Sequence, residues 1–186
     1  MTKLFKIVVT GHTSGIGKSI FDKLQSGGHT VTGYSLDNGY DIGNNDVRNK
    51  IIDDNKDADI FINNAYHFTG QIILLKEFIR VWKNQNKLIV NIGSLVVENN
   101  PEVQDLKYIA AKKKLNDVAK SYNKNMPNIT NIVLDWVKTP LSDRLSSAPM
   151  MSSDSIATFV NFIIDNKSNF WARDIVLCNS RKEKQI

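Results

Sequence analysis

The most constraining feature of the sequence is the alternation of short apolar runs with helical patterns. Runs rich in Val and Ile predict strands, and Ile16, Ile20 and Leu24, spaced by four residues, predict a helix that ends at Gly27 and Gly28. The strands lack polar alternation, as expected where helices cover both faces of a sheet. The expected strands are 4–10, 30–35, 59–63, 87–93, 129–137 and 174–178, and the further helices are 72–82, 105–122 and 154–165.

This alternation implies βαβ units and therefore an α/β fold. We predict a single-domain Rossmann-type doubly wound parallel sheet with helices on both faces. The 186 residues contain no internal repeat and no linker-like stretch. The whole chain, 1–186, is therefore expected to form one domain, with a flexible tail at 180–186.

Composition excludes several classes of protein. Cys178 is the single cysteine, which rules out an intrachain disulfide and favours a reducing compartment, so we expect a cytoplasmic protein. The longest apolar runs, such as 72–75, are too short to cross a membrane, and Lys6 interrupts the first run, which is atypical of a signal peptide. The net charge is +5, but the basic residues are scattered, which argues against nucleic acid as a partner. No metal-ligand spacing is present, so no metal site is predicted.

The glycine-rich stretch Thr10–Ser19, between the first strand and the first helix, is the most informative local motif. A phosphate-binding P-loop would need a glycine at His12, because its spacing is Gly, four residues, then Gly-Lys-Ser/Thr. A dinucleotide turn fits better, since glycines let the backbone approach a pyrophosphate at the helix N-terminus. A purely structural strand–helix connection remains the alternative to both.

Four motifs in order resemble the short-chain dehydrogenase/reductase family. The first is the Thr-Gly-x-x-x-Gly-Ile-Gly pattern that begins at Thr10. The others are Asn63-Asn64-Ala65, then Ile92-Gly93-Ser94 followed by Tyr108-Ile109-Ala110-Ala111-Lys112, and finally Val137-Lys138-Thr139-Pro140-Leu141. Together they extend over essentially the whole chain. The resemblance implies an NAD(P)-dependent oxidoreductase that acts on a small-molecule carbonyl or alcohol.

The Tyr-x-x-x-Lys spacing puts Tyr108 and Lys112 on one face of a helix. A nearby ammonium favours the phenolate and so lowers the pKa of a tyrosine from its usual value near ~10. The resemblance implies that Tyr108 is the general acid/base, that Lys112 assists it and binds ribose hydroxyls, and that Ser94 donates to the substrate oxygen. His67 falls where the family has an asparagine of a proton relay. A histidine at a helix start with no catalytic role is the alternative for His67.

The resemblance also implies a set of cofactor contacts. Ser35 stands where NAD-preferring members carry an aspartate, and Asp37 lies two residues later. The choice between NAD and NADP is left open, with a slight preference for NADP. The expected cofactor-binding residues are Thr10, Gly11, Thr13, Ser14, Gly15, Ile16, Gly17, Ser35, Asp37, Asp41, Ile42, Asn63, Asn64, Ala65, Tyr108, Lys112, Val137 and Thr139.

Two departures from the family pattern leave a second function open. Tyr66 replaces a glycine after Asn63-Asn64-Ala65, and the segment that usually follows is nearly absent. A non-catalytic NAD(P)-binding regulatory or scaffold protein is therefore the alternative. The resemblance further implies a homodimer or homotetramer formed by pairing of helices 69–84 and 105–122.

Overall fold

Six parallel strands form the central sheet. The computed structural model describes residues 3–95, 105–121, 125–140, 142 and 150–180. The order across the sheet is β2-β1-β3-β4-β5-β8, and every neighbouring pair is parallel. The strands of this sheet are β1 (Lys6–Thr10), β2 (Thr30–Tyr34), β3 (Ile60–Asn63), β4 (Leu88–Ser94), β5 (Asn128–Leu134) and β8 (Asp174–Leu177).

Helices cover both faces of the sheet, which confirms the predicted doubly wound α/β fold. One hydrophobic core joins α1 and α5 to one face, and a second core joins α2, α3 and α4 to the other. Adjacent residues of β1 show the division, because Ile7 and Val9 belong to the first core and Val8 to the second. The helices are α1 (Gly15–Ser26), α2 (Asn45–Asp54), α3 (Gly70–Val81), α4 (Leu106–Lys120) and α5 (Ser153–Asp165).

The strand order reverses between β1 and β3. In open α/β sheets, ligands bind outside the carboxyl ends of the strands at such a reversal. Three of the predicted motifs lie at the carboxyl ends of strands: the glycine turn at β1, Asn63-Asn64-Ala65 at β3 and Ile92-Gly93-Ser94 at β4. Because these strands are parallel, the three motifs lie at one edge of the sheet. In the described residues β2 is an edge strand, whereas the order 3-2-1-4-5-6 of the standard Rossmann sheet has one more strand beyond it.

Helix α2 was not predicted from the sequence. Asn44 caps it by accepting a hydrogen bond from the Asp46 backbone N–H, and only Arg48, Ile51 and Ile52 are buried along its ten residues. The Arg48 guanidinium donates to the Ile42 carbonyl at 2.8 Å, which fixes the loop before the helix. Because only two of these buried residues, Ile51 and Ile52, are apolar, the hydrophobic periodicity of this helix is weak.

The predicted strand 129–137 ends early in the sheet. β5 stops at Leu134, and Val137–Lys138 forms a separate two-residue strand, β6, which pairs with β7 (Met151–Ser152). Of the expected tail at 180–186, residues 181–186 lie outside the described residues. The described helices include none that is long and apolar enough to cross a membrane. The number of domains and the pairing of helices between copies remain predictions.

A ladder of buried asparagines crosses the middle of the sheet. Asn63, Asn91 and Asn131 are paired in register on β3, β4 and β5, and none is exposed. The Asn63 side-chain amide donates to Asn91 Oδ1 at 2.9 Å, and the Asn91 amide donates to Asn131 Oδ1 at 2.8 Å. Each buried amide is hydrogen-bonded to its neighbour along the ladder, which favours the observed register of these three strands, while Asn63 Oδ1 and Asn131 Nδ2 at its two ends have no partner in the described portion of the chain.

The ladder predicts a stability cost for removing its middle member. Asn91→Leu keeps the branching of the side chain, but it removes one of the two acceptors of the Asn63 amide and the donor to Asn131 Oδ1. We expect the free energy of unfolding to fall by about 2–4 kcal/mol, measured by urea denaturation. Asn49→Ala, at an exposed position of α2, is the control and should change it by less than about 0.5 kcal/mol. Equal stability of Asn91→Leu and the wild type would show that the ladder contributes nothing.

Candidate active site

The glycine turn after β1 brings the chain close to itself. Gly11 and Gly15 adopt φ values of 72° and 54°, which side chains disfavour. A Cβ on Gly17 would overlap the Gly11 carbonyl oxygen. Glycine is therefore required at all three positions for α1 to begin directly beside the end of β1.

The N-terminus of α1 is open to an anion. Ser14 is the N-cap but its side chain makes no capping hydrogen bond, and the first turn contains no acidic residue. The positive end of the helix and its free N–H groups favour a negatively charged group. Thr139 lies next to this turn, since a Cβ on Gly15 would be 3.2 Å from Thr139 Cγ2. The residue that follows β6 thus lies against the glycine turn.

The Asn63-Asn64-Ala65 motif closes the other side of the turn. The Thr10 hydroxyl oxygen accepts hydrogen bonds from the backbone N–H groups of Asn64 and Ala65 at 3.1 and 3.2 Å. The Asn64 side-chain amide donates to the carbonyls of Thr10 and Gly11 at 3.1 and 3.3 Å. These bonds join the ends of β1 and β3 across the reversal in strand order. Ile16 and Val137 instead contribute to the core on the α1 and α5 face.

A polar cluster follows β2. The Thr13 hydroxyl lies 2.7 Å from the Ser35 hydroxyl and donates to Asp37 Oδ2 at 2.6 Å. Ser35 caps the short 3₁₀ turn Leu36–Asn38, which brings Asp37 back toward the glycine turn. The structure therefore brings together three of the residues that were predicted to bind the cofactor, namely Thr13, Ser35 and Asp37.

His67 lies beside the Asp41–Gly43 loop rather than beside Lys112. Its Nδ1 accepts a hydrogen bond from the Gly70 N–H at 3.1 Å, and its ring packs against Gly43. Asp41 Oδ1 accepts from the Gly43 N–H at 2.8 Å, and Ile42 is buried. These contacts describe a residue at the start of α3, and the relay role of His67 stays a prediction.

Ser94 and Tyr108 meet at the carboxyl end of β4. Asp105 caps α4 by accepting from the N–H groups of Lys107 and Tyr108, which fixes where the helix begins. A side-chain hydrogen bond joins the hydroxyls of Ser94 and Tyr108. Burial raises the pKa of the Tyr108 phenol above 10.0, and the hydrogen bond with Ser94 opposes that rise. The expected lowering of this pKa by Lys112 is not found, because burial and the hydrogen bond with Ser94 are the causes of the shift.

Lys112 is buried one helical turn after Tyr108. Its ammonium donates to Gln71 Oε1 at 3.0 Å and to the Ile92 carbonyl at 3.3 Å. Burial lowers the pKa of Lys112 from 10.5 to about 8, because a charged group loses its hydration there. Lys113 and Lys114 are exposed.

The ring of Tyr66 covers both catalytic candidates on α4. It packs edge-to-face against Tyr108 with ring centroids 4.8 Å apart, and its centroid is 5.5 Å from the Lys112 ammonium. The pKa of Tyr66 is raised by burial and by the nearby Asp105 carboxylate. Sequence reasoning recognised Tyr66 as a departure but missed this contact, and it missed Gln71 entirely, because a lone glutamine carries no motif. Within the described ranges, no group of three His, Cys, Asp or Glu residues could hold a metal ion.

The lowered pKa of Lys112 makes stability depend on pH. Between about pH 8 and pH 10.5, Lys112 keeps its proton in the unfolded chain but has lost it in the folded chain. Raising the pH through this range therefore favours folding. Lys112 should add roughly 2 kcal/mol to the free energy of unfolding between about pH 7 and about pH 10. Urea denaturation at both pH values should show this increment in the wild type and in Lys113→Met, and not in Lys112→Met. An identical pH dependence in all three proteins would contradict it.

Solved structures share this fold along nearly the whole chain. A 4-hydroxyisoleucine dehydrogenase complexed with NADH superposes with a TM-score of 0.76 at 18% identity, covering 97% of this chain and 100% of the other. An alcohol dehydrogenase from the archaeon Thermococcus sibiricus, complexed with 5-hydroxy-NADP, gives 0.75 at 16% identity, with coverages of 98% and 100%. A 3-ketoacyl-(acyl-carrier-protein) reductase from Brucella melitensis, complexed with NADH, has the same TM-score of 0.75, identity of 16% and coverages of 98% and 100%.

The sequence itself matches no protein-family model and no curated protein. A further structural neighbour is described as a short chain dehydrogenase/reductase family protein, with a TM-score of 0.76 at 18% identity over 96% of this chain and 97% of the other. At these identities the likeness concerns the fold. The chain has the fold of the short-chain dehydrogenases/reductases, as its motifs predict.

Proposed function

We propose that this protein is an NAD(P)-dependent oxidoreductase that interconverts a carbonyl and an alcohol. The observation that carries the proposal is the hydrogen bond between Ser94 and Tyr108, with Lys112 one turn further along the same helix. This group lies at the same edge of the sheet as the glycine turn. Two hydroxyls that share a hydrogen bond can converge on one substrate oxygen, and an adjacent cation stabilises negative charge that develops there.

The residues at this edge fit a dinucleotide cofactor. The glycines allow close approach of a pyrophosphate, and the uncapped N-terminus of α1 favours its charge. Ser35, Asp37 and Thr13 would hold the adenosine ribose, and Thr139 would lie along the path toward the nicotinamide. The nicotinamide supplies or accepts the hydride when the cofactor is bound. Several structures with the same fold contain NADH or NADP, which supports this choice.

Tyr108 is assigned the proton transfer. In carbonyl reduction its phenol donates a proton to the substrate oxygen, while the Ser94 hydroxyl donates a hydrogen bond to the same oxygen. The phenolate left behind is stabilised by the positive charge of Lys112. The raised pKa of Tyr108 keeps the phenol protonated at neutral pH, which suits the reductive direction.

The position of Asp37 favours NAD over NADP. Its carboxylate is 2.6 Å from the Thr13 hydroxyl in the glycine turn, next to Ser35 at the end of β2. A carboxylate there can accept hydrogen bonds from ribose hydroxyls, and it repels a 2′-phosphate. This placement weighs against the slight preference for NADP that the sequence gives when read without the 3₁₀ turn.

One observation favours the non-catalytic alternative. The Tyr66 ring lies over Lys112 and against Tyr108, at a position where the resembling family has a glycine. A protein that only binds the dinucleotide would tolerate this bulk near the reacting groups. The Ser94–Tyr108 hydrogen bond has no comparable explanation in such a protein, so the enzyme remains the better supported function.

Removal of one hydroxyl distinguishes the two functions. Tyr108→Phe should lower the rate of carbonyl reduction by roughly 10²–10⁴-fold while NAD(P)H still binds, because only the proton donor is lost. Turnover over a panel of aldehydes and ketones gives the rate, and nicotinamide fluorescence gives the binding. Tyr40→Phe, at a half-buried tyrosine outside the site, is the matched control. Cofactor binding without turnover in the wild type would support the binding-only protein instead.

Cofactor preference tests the role of Asp37. Asp37→Ser should improve the affinity for NADPH relative to NADH by roughly tenfold or more, because a like charge near the 2′-phosphate is removed. Fluorescence titration with each nucleotide measures the ratio. Asp46→Asn, an equally exposed aspartate in the first turn of α2, should leave the ratio unchanged. An unchanged ratio in Asp37→Ser would place the adenosine ribose elsewhere.

A further inference from the structure

The Lys112 ammonium is buried without a counter-ion. Lys112 is only 5% exposed, and its two hydrogen-bond acceptors, Gln71 Oε1 and the Ile92 carbonyl, are both neutral. Among the described residues no carboxylate lies within ion-pair distance of it. A buried charge without such acceptors is costly enough that the group loses its proton instead. The state of Lys112 therefore depends on these two oxygens.

The Gln71 side chain can present only its oxygen to Lys112. Its Nε2 donates to the Asn63 carbonyl at 3.0 Å and to the Ile92 carbonyl at 3.4 Å. Turning the amide over would aim the NH₂ group at the ammonium and the oxygen at two carbonyls. All of these contacts would then be repulsive, so the surrounding carbonyls fix the orientation of the amide.

The support for Gln71 extends into the sheet. Gln71 is 2% exposed and is the second residue of α3, and its backbone carbonyl accepts from the Asn63 amide at 3.2 Å. Asn63 is the first member of the asparagine ladder that continues through Asn91. Gln71 is thus tied to three central strands, and its oxygen is held at a defined place rather than on a mobile loop.

The other groups near Lys112 cannot take this role. On α4 the nearest titratable group is Tyr108, whose ring centroid is 5.9 Å from the ammonium, and on the loop after β3 it is Tyr66 at 5.5 Å. Asp105 acts on Tyr66 and is not a partner of Lys112. His67, which the sequence placed in a proton relay, bonds to Gly70 instead.

We infer that Gln71 is a positioning residue that keeps the Lys112 ammonium charged and directed toward Tyr108. The inference rests on the proposed function for its consequence in catalysis. Its physical basis is that a side-chain oxygen accepts a hydrogen bond from a buried cation. This contact is present without cofactor or substrate.

Proton titration of Lys112 tests the inference without turnover. The side-chain ammonium signal, assigned by its loss in Lys112→Met, can be followed by heteronuclear NMR over pH. Gln71→Met preserves length and removes the acceptor, so the pKa of Lys112 should fall by about one to two units. Gln71→Asn keeps an amide but withdraws its oxygen, and should lower the pKa by a smaller amount. Gln85→Met, at an exposed glutamine after α3, is the matched control and should leave it unchanged.

A folded Gln71→Met or Gln71→Asn protein in which Lys112 titrates as in the wild type would overturn the inference. If Gln71→Met does not fold, the Gln71→Asn titration decides. Given turnover, Gln71→Met should lower kcat roughly tenfold or more with little change in KM, and should move the alkaline limb of the pH–rate profile to lower pH. Absence of turnover in the wild type would refute the proposed function, whereas an unchanged titration would refute the role of Gln71.

Discussion

The interior of this site is organised around one buried cation. Placing the Lys112 ammonium out of water is costly, and no carboxylate in the described part of the chain offsets that cost. Neutral oxygens therefore take the place of water around the ammonium. They must be held rigidly, because a mobile oxygen would stabilise the charge no better than water does. This requirement explains why Gln71 at the start of α3 and Asn63 at the end of β3 are buried between a helix and a sheet that is otherwise rich in Val and Ile.

The parallel sheet brings the remaining groups to this cation. All six strands end at the same edge, so Thr10, Asn64 and Ser94 meet there although they come from different strands. The hydrogen bonds of Thr10 and Asn64 close the gap at the reversal in strand order, and the glycine turn leaves the N-terminus of α1 open. One end of the site can thus bind an anion while the other holds a proton donor, and the sheet sets the distance between them.

The sequence predicted the fold and the ordered motifs because both rest on local patterns. Val- and Ile-rich runs separated by helical spacings define the sheet, and Tyr108 and Lys112 share a helix face at four-residue spacing. Helix α2 escaped notice because only three of its residues are buried. Gln71 escaped notice because its contact spans 41 residues of chain and depends on an amide orientation that no spacing encodes. The expected lowering of the Tyr108 pKa is not found, because burial of the phenol is the largest cause of its shift and Lys112 is not among the causes.

Two opposing effects on protons follow from the same burial. Burial raises the pKa of Tyr108, which favours the protonated phenol. It lowers the pKa of Lys112 to about 8, which favours loss of the ammonium proton. Below that pH a protonated phenol and a positive charge lie side by side, which agrees with the proposed transfer of a proton from Tyr108. Tyr66 is adjacent to both groups, because its ring packs against Tyr108 and lies near the Lys112 ammonium. The aromatic residue that departs from the family pattern therefore lies directly beside the two groups on which the proposed proton transfer depends.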